Sequence, residues 1–290
     1  MTARMRLIFG VLSFPFRLLA WVIRRLYVLM RGYNVLELHL HGRLPDRRPK
    51  VTPASVLGGE PSGPALLDVI AALERAARDP RLQVVKVELG PIHTGLARAD
   101  ELRAALARDL AAGKRVIVHA EEAGLPAYFI ALGGSELVLA PAGGLSVTGI
   151  ALEVVLLKGL LDRVGLRAWM RARGKYKSAR ETFTETELSP PHLEMTRSIV
   201  GDFYDQLVET IAAARRLAPE DVRSRLDRGP FLATEARELG LIDRVAYADE
   251  VEAQAKAELR TWRPLDLDAY LRLSTHLVPR GRKAVVALVE

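Results

Sequence analysis

Cysteine is absent from these 290 residues. That excludes disulfides, thiolate metal sites and a cysteine nucleophile. Histidine is scarce: of the six, His39 and His41 alternate in VLELHLH, while His93, His119, His192 and His276 stand alone. None has metal-ligand spacing. Neither a phosphate loop nor a dinucleotide glycine fingerprint occurs. Aromatics make up only 6% of the chain, whereas a nucleic-acid surface calls for aromatics set in a basic patch on the folded domain. The positive charge is placed elsewhere. Residues 1–50 carry a net +8 and the other 240 residues sum to −1, so no nucleic-acid partner is expected. The remaining absence is a clean membrane span. Leu7 to Met30 is apolar, but Arg17, Arg24 and Arg25 interrupt it, and central arginines are costly in hydrocarbon.

What the N-terminus does have is a stripe. Arg6, Ser13, Arg17, Arg24 and Arg31 are spaced by seven, four, seven and seven, which puts them within roughly 40° on a helix. Leu12, Phe16, Leu19, Ile23 and Leu26 occupy the other faces. An arginine stripe on an apolar helix describes a segment lying in the membrane surface; a helix docked on another protein is the alternative. Pro15 bends or splits it. No small-x-small cleavage site follows, so a removable signal peptide is not indicated. We therefore expect residues 1–33 to be a basic amphipathic membrane-associating segment.

Beyond it, short apolar strands alternate with helices. Residues 35–41 (VLELHLH), 82–89, 115–120 and 136–140 read as strands. Ser62-Gly63-Pro64 opens one helix, with Ser62 as its cap. Asp100–Ala112 forms a second, with Leu102, Ala105, Leu106 and Leu110 on one face. Pro126–Leu132 forms a third. This order predicts an α/β domain with a parallel sheet and packed helices; periodicity does not separate a spiral from a doubly wound sheet. In the second half, Val155–Val164 leads to a strand over Arg167–Arg171, and Ser189-Pro190 opens a long helix bearing Ile199, Phe203, Leu207 and Ile211.

A lysine set among small residues, after an apolar run and before a helix start, is a candidate catalytic base. Arg173-Gly174-Lys175-Tyr176-Lys177-Ser178-Ala179, followed by Phe183 and then Ser189-Pro190, resembles the lysine segment of the signal peptide peptidase A family. Those are membrane-bound Ser-Lys proteases of peptidase family S49, in the Clp protease/crotonase superfamily. Gly229 to Ala236 with Gly240-Leu241-Ile242-Asp243 resembles a superfamily signature whose implied role is structural. The resemblance covers about Val35 to Val251. It implies a crotonase-like spiral over residues 34–255, a general-base role for Lys177, an extended peptide as substrate and a homo-oligomer. It also implies a bacterial inner-membrane location and no cofactor.

The same resemblance places the nucleophilic serine at the start of the helix after the central strand. Leu125 occupies that position here, and Pro126 beside it offers no backbone N–H to an oxyanion. Two-repeat family members divide the dyad in this way, with lysine in the first repeat and serine in the second. The apolar stretch 283–290 (KAVVALVE) echoes Val35–Leu40. It is expected to be the first strand of a second repeat, reached through a linker over residues 256–282; a strand closing the sheet edge is the alternative. Ser146 in a glycine-rich loop, Ser178 beside the lysine, and Glu121-Glu122 are weaker candidates. The sequence thus points to the N-terminal half of a membrane-associated serine endopeptidase. A catalytically degenerate peptide-binding scaffold and a crotonase-type acyl-thioester enzyme are the two alternatives.

Overall fold

The computed structural model describes residue 22 and residues 32–48 and 63–274. The arginine stripe, Ser62 and the strand expected over 283–290 lie outside the described residues. Two compact units are present, one built from residues up to Leu145 and from Leu232 onward, the other from Ser146–Phe231.

The first unit begins with β1 (Val35–Arg43), α1 (Leu66–Ala76), β2 (Val84–His93), α2 (Leu96–Ala111) and β3 (Arg115–Ala120). Short β4 (Ala123–Gly124) leads into α3 (Leu125–Ala131), β5 (Glu136–Leu139) and β6 (Gly144–Ser146). The second unit carries α4 (Lys158–Arg163), a 3-10 turn over Ser178–Arg180, α5 (Glu181–Thr184), α6 (Pro190–Arg215) and α7 (Pro219–Leu226). The chain then runs through β7 (Phe231–Leu232), α8 (Ala233–Glu238), β8 (Arg244–Val245), α9 (Ala248–Glu258), β9 (Pro264–Asp266) and α10 (Leu267–Ser274).

Six strands form one sheet in the order β8-β5-β3-β2-β1-β9. Every pairing in it is parallel, as the alternation of strand and helix predicted. The register makes one face purely apolar. Leu36, Val85 and Val116 align across the strands, as do Leu38, Val87, Val118 and Leu137, and then Leu40, Leu89, Ala120 and Leu139. All are at most 3% exposed, and full burial of each large aliphatic side chain contributes ~1.5–3 kcal/mol.

The opposite face is mixed. Val35, Val84, Ile117 and Val138 pack with Val251 and Ala255 of α9. Between them runs a charged ladder. Lys86 is 4% exposed and pairs with Glu88 at 2.8 Å, Glu252 at 3.3 Å and Glu37 at 3.6 Å. Burial pushes the Lys86 ammonium down, but its bond to Glu88 and the fields of Glu88 and Glu37 outweigh that and hold it above the ordinary lysine value. Its pairing is therefore complete at neutral pH and is lost only as pH rises through the raised value. Lys86→Met would leave three carboxylates facing one another. They retain some contact with water, which discounts the penalty for a fully buried pair. We expect a loss of about 2 kcal/mol, measured by denaturant unfolding at pH 7.

Several elements depart from expectation for identifiable reasons. Helix α1 starts at Leu66, with no side-chain cap on Ala65; the carbonyls of Pro45 and Asp46 take the Leu66 and Leu67 N–H groups instead. Helix α2 starts a turn earlier than Asp100. Its buried stripe continues through Asp109, while Leu110 is 40% exposed. The strand expected over Arg167–Arg171 is irregular and mostly exposed; no strand among the described residues pairs with it, and an unpaired extended segment gains no ladder. The stretch expected to be a linker carries β9, which pairs with β1, and α10, whose Tyr270 is fully buried.

Candidate functional site

The carboxyl ends of β2 and β3 and the segment after β5 frame a cavity of about 890 Å³ in the first unit. Crevices at the carboxyl ends of parallel strands are where open α/β sheets bind ligands. Gly90, His93, His119 and Gly124 line it, with Tyr247 and Asp249 from the start of α9. The α3 start opens onto this cavity through Gly124 and Pro126. The fold therefore sets Leu125 at the entry turn of α3, where the resemblance placed the serine. Leu125 has no nucleophilic atom and Pro126 no N–H.

Glu121 and Glu122 line the same cavity and are exposed. His93 and His119, isolated in the sequence, meet there because β2 and β3 are sheet neighbours. The sequence signal that would have found them is position, just at or past the strand ends. His119 is 4% exposed, and its Nε2 lies 3.2 Å from the Ala246 carbonyl. Burial pushes its imidazole below the ordinary histidine value.

The Gly-Leu-Ile-Asp segment is structural in this unit. The Tyr128 hydroxyl donates to the Leu241 carbonyl at 2.9 Å. Asp243 accepts from the Leu137 N–H at 2.8 Å through its side chain. Its own N–H donates to the Leu137 carbonyl at 3.0 Å, so the segment pins α3 and β5 together.

Lys177 belongs to the second unit. Gly174, at φ +101°, makes the turn that leads to it, and the Lys177 N–H closes that turn on the Gly174 carbonyl at 3.2 Å. Lys177 is exposed and Ser178 buried; the 3-10 turn begins between them. Lys175 is also exposed, and its ammonium lies 4.5 Å from the centre of the Tyr176 ring. Helix α6 opens at Ser189-Pro190 as the sequence predicted, and Ser189 caps it by accepting the His192 N–H. The apolar stripe of α6 is buried at Leu207 and Ile211 only; Ile199 and Phe203 are 41% and 46% exposed. Among the described residues no acidic or histidine cluster suits a metal ion. No described helix is long and apolar enough to cross a membrane.

Comparison with known proteins bears on this arrangement. Serine protease SPPA, chloroplastic, of Arabidopsis thaliana is 25% identical over 230 residues, covering 79% of this chain and 33% of that protein. Protease 4 of Haemophilus influenzae is 25% identical over 196 residues, covering 65% of this chain and 32% of that protein. The chain thus spans about a third of the length of these curated relatives. Among solved structures, the 1510-N membrane-bound stomatin-specific protease aligns over 78% of this chain and 86% of that one, at 12% identity and a TM-score of 0.43. The family model of peptidase family S49 matches residues 108–261, more than half of the chain; the chain is a member of peptidase family S49.

Proposed function

We propose that this chain supplies the lysine half of a membrane-associated Ser-Lys endopeptidase. In this reading Lys177 is the general base, and the serine lies on a second repeat of the full-length protein. One observation carries it: a chain of family S49 has Lys177 at the start of the 3-10 turn and Leu125-Pro126 at the entry to α3. The chemistry is acyl transfer. The Lys177 amine takes the serine proton as the hydroxyl attacks a peptide carbonyl and gives it to the departing amine as the C–N bond breaks; water then hydrolyses the acyl ester and returns the serine hydroxyl. The substrate class is an extended peptide, such as a remnant signal peptide near the bilayer. Residues 1–31 hold the protein on that surface through their arginines. Self-association belongs to the same reading and is supported by exposed Val155, Leu160, Val164 and Trp169 in the second unit.

The test is labelling with a fluorophosphonate probe. Residues 1–290 alone are expected to give no labelled serine and no peptidase activity, whereas the full-length protein labels at a serine of the second repeat. Labelling of a serine within residues 1–290, abolished by its replacement with alanine, would overturn the division of the dyad. A full-length protein that neither labels nor cleaves unfolded peptides would favour the peptide-binding scaffold instead.

A further inference from the structure

Glu181 is a carboxylate buried within the second unit, 2% exposed, and it stands four residues after Lys177. Three hydrogen bonds converge on it. The Ser189 hydroxyl donates to Oε1 at 2.7 Å, the Ser189 N–H donates to Oε2 at 3.1 Å, and His192 Nδ1 reaches the same Oε2 at 2.9 Å. The Ser189 oxygen in turn accepts the His192 N–H at 3.4 Å. The bond from Ser189 and the pairing with His192 outweigh burial and hold the carboxyl below the ordinary glutamate range, so it is an anion at neutral pH.

This cluster joins two pieces of chain, the lysine turn and α6, which the Tyr176 hydroxyl also bridges by donating to Glu194 Oε1 at 3.2 Å. Lys177 leads directly into the 3-10 turn, and that turn runs into α5 at Glu181 without a break. Ser189 and His192 are the cap and first turn of the 26-residue α6. Upstream, residues 166–173 form no helix or strand and are mostly exposed. The lysine turn is held on its N-terminal side by that Tyr176–Glu194 bond. On its C-terminal side the anchors are the bond from the Leu157 N–H to the Thr182 carbonyl at 2.6 Å and the buried Glu181 cluster.

We propose that Glu181 is a positioning residue of the Lys177 turn: its buried carboxylate clamps that turn to the N-terminus of α6 and so sets where the lysine side-chain nitrogen is presented. The proposal rests on the reading of Lys177 as general base. A carboxylate is required because three donors need two acceptor oxygens. An amide would turn its own N–H group toward a donor, and the unsatisfied groups would be buried.

The test uses two readouts. In the full-length protein, E181Q is expected to lower kcat roughly 10- to 100-fold with KM within about twofold, as misplacement of a reacting group does. S189A, which removes the hydroxyl but keeps the backbone donor to Glu181, is expected to lower kcat about tenfold, and S189T, which keeps a hydroxyl there, to stay near wild type. The double variant K177A/E181Q should be no slower than K177A, because Glu181 acts only through the lysine. In the 290-residue chain, E181Q should speed amide hydrogen exchange over residues 177–185 and leave the parallel sheet protected.

Wild-type turnover in both E181Q and S189A, with K177A inactive, would overturn the clamp and leave the lysine assignment standing. Full additivity of E181Q and K177A would make Glu181 merely structural and equally overturn it. If K177A stays active, the base assignment fails on its own, and hydrogen exchange decides the clamp: unchanged exchange over 177–185 refutes it.

Discussion

Lys177→Ala is expected to lower turnover of the full-length peptidase by about 10² to 10⁴, the range for loss of a general base. Folding and assembly should be unaffected, because Lys177 is exposed and only its backbone N–H closes the Gly174 turn. Lys177→Arg should be just as inactive. A guanidinium does not deprotonate in a protein, so it keeps the charge and loses the base. Lys175→Ala should have a milder effect, since that side chain is exposed and rests against Tyr176. Steady-state kinetics on an unfolded peptide checks all three. Near-normal turnover in Lys177→Ala would make it a surface lysine and end the Ser-Lys reading.

Asp109→Asn is expected to stabilise the fold at pH 8 and to change little at pH 4. Asp109 is fully buried in α2, and neither carboxyl oxygen has a hydrogen-bond partner among the described residues. Burial pushes its carboxyl up to about 7; the charges of Lys114 and Arg108 pull the other way and do not compensate. An acid whose folded pKa is raised binds its proton more tightly in the folded state. Ionisation therefore costs stability, progressively, as pH rises from about 4 toward 7. A shift from 3.8 to about 7 corresponds to a cost on the order of 4 kcal/mol above pH 7. Asparagine removes the charge but leaves a buried amide to satisfy, so the expected gain at pH 8 is roughly 2 kcal/mol. Asp109→Leu should gain more if its volume fits. Urea unfolding at pH 4, 6 and 8 checks this. Equal effects of Asp109→Asn at all three pH values would show that the carboxyl is neutral or solvated throughout.

Asp109 also marks where sequence reasoning stopped. The helical period correctly placed Leu102, Ala105 and Leu106 inside. At the last position hydrophobicity favoured Leu110, while the helix buries Asp109 and exposes Leu110. Amphipathic periodicity fixes a face only to within about one residue, and the neighbouring layer decides which side of the boundary is covered. The Arg167–Arg171 segment failed for a related reason. Strand propensity was present, but a strand exists only where a partner pairs with it. Strand β9 is the converse case. Pro264–Asp266 gave no strand signal, yet the edge of β1 supplies the partner.

The sequence by itself determined the alternating α/β plan, the opening of α6 at Ser189-Pro190 and the residue identities at Lys177 and Leu125, whose roles the family resemblance implies. The first two are properties of residue identity at local spacing: apolar alternation, and a hydroxyl ahead of a proline. Tertiary structure alone decided what depends on residues far apart in the chain. The register of β1 and β2 and the packing of α9 set Lys86 among Glu37, Glu88 and Glu252, and the pairing of β2 with β3 placed His93 and His119 on the lining of one cavity. The return of α6 onto α5 closed Ser189 and His192 over Glu181. A buried charge is tolerated only where its partners converge in space, and that convergence has no local signature in the sequence.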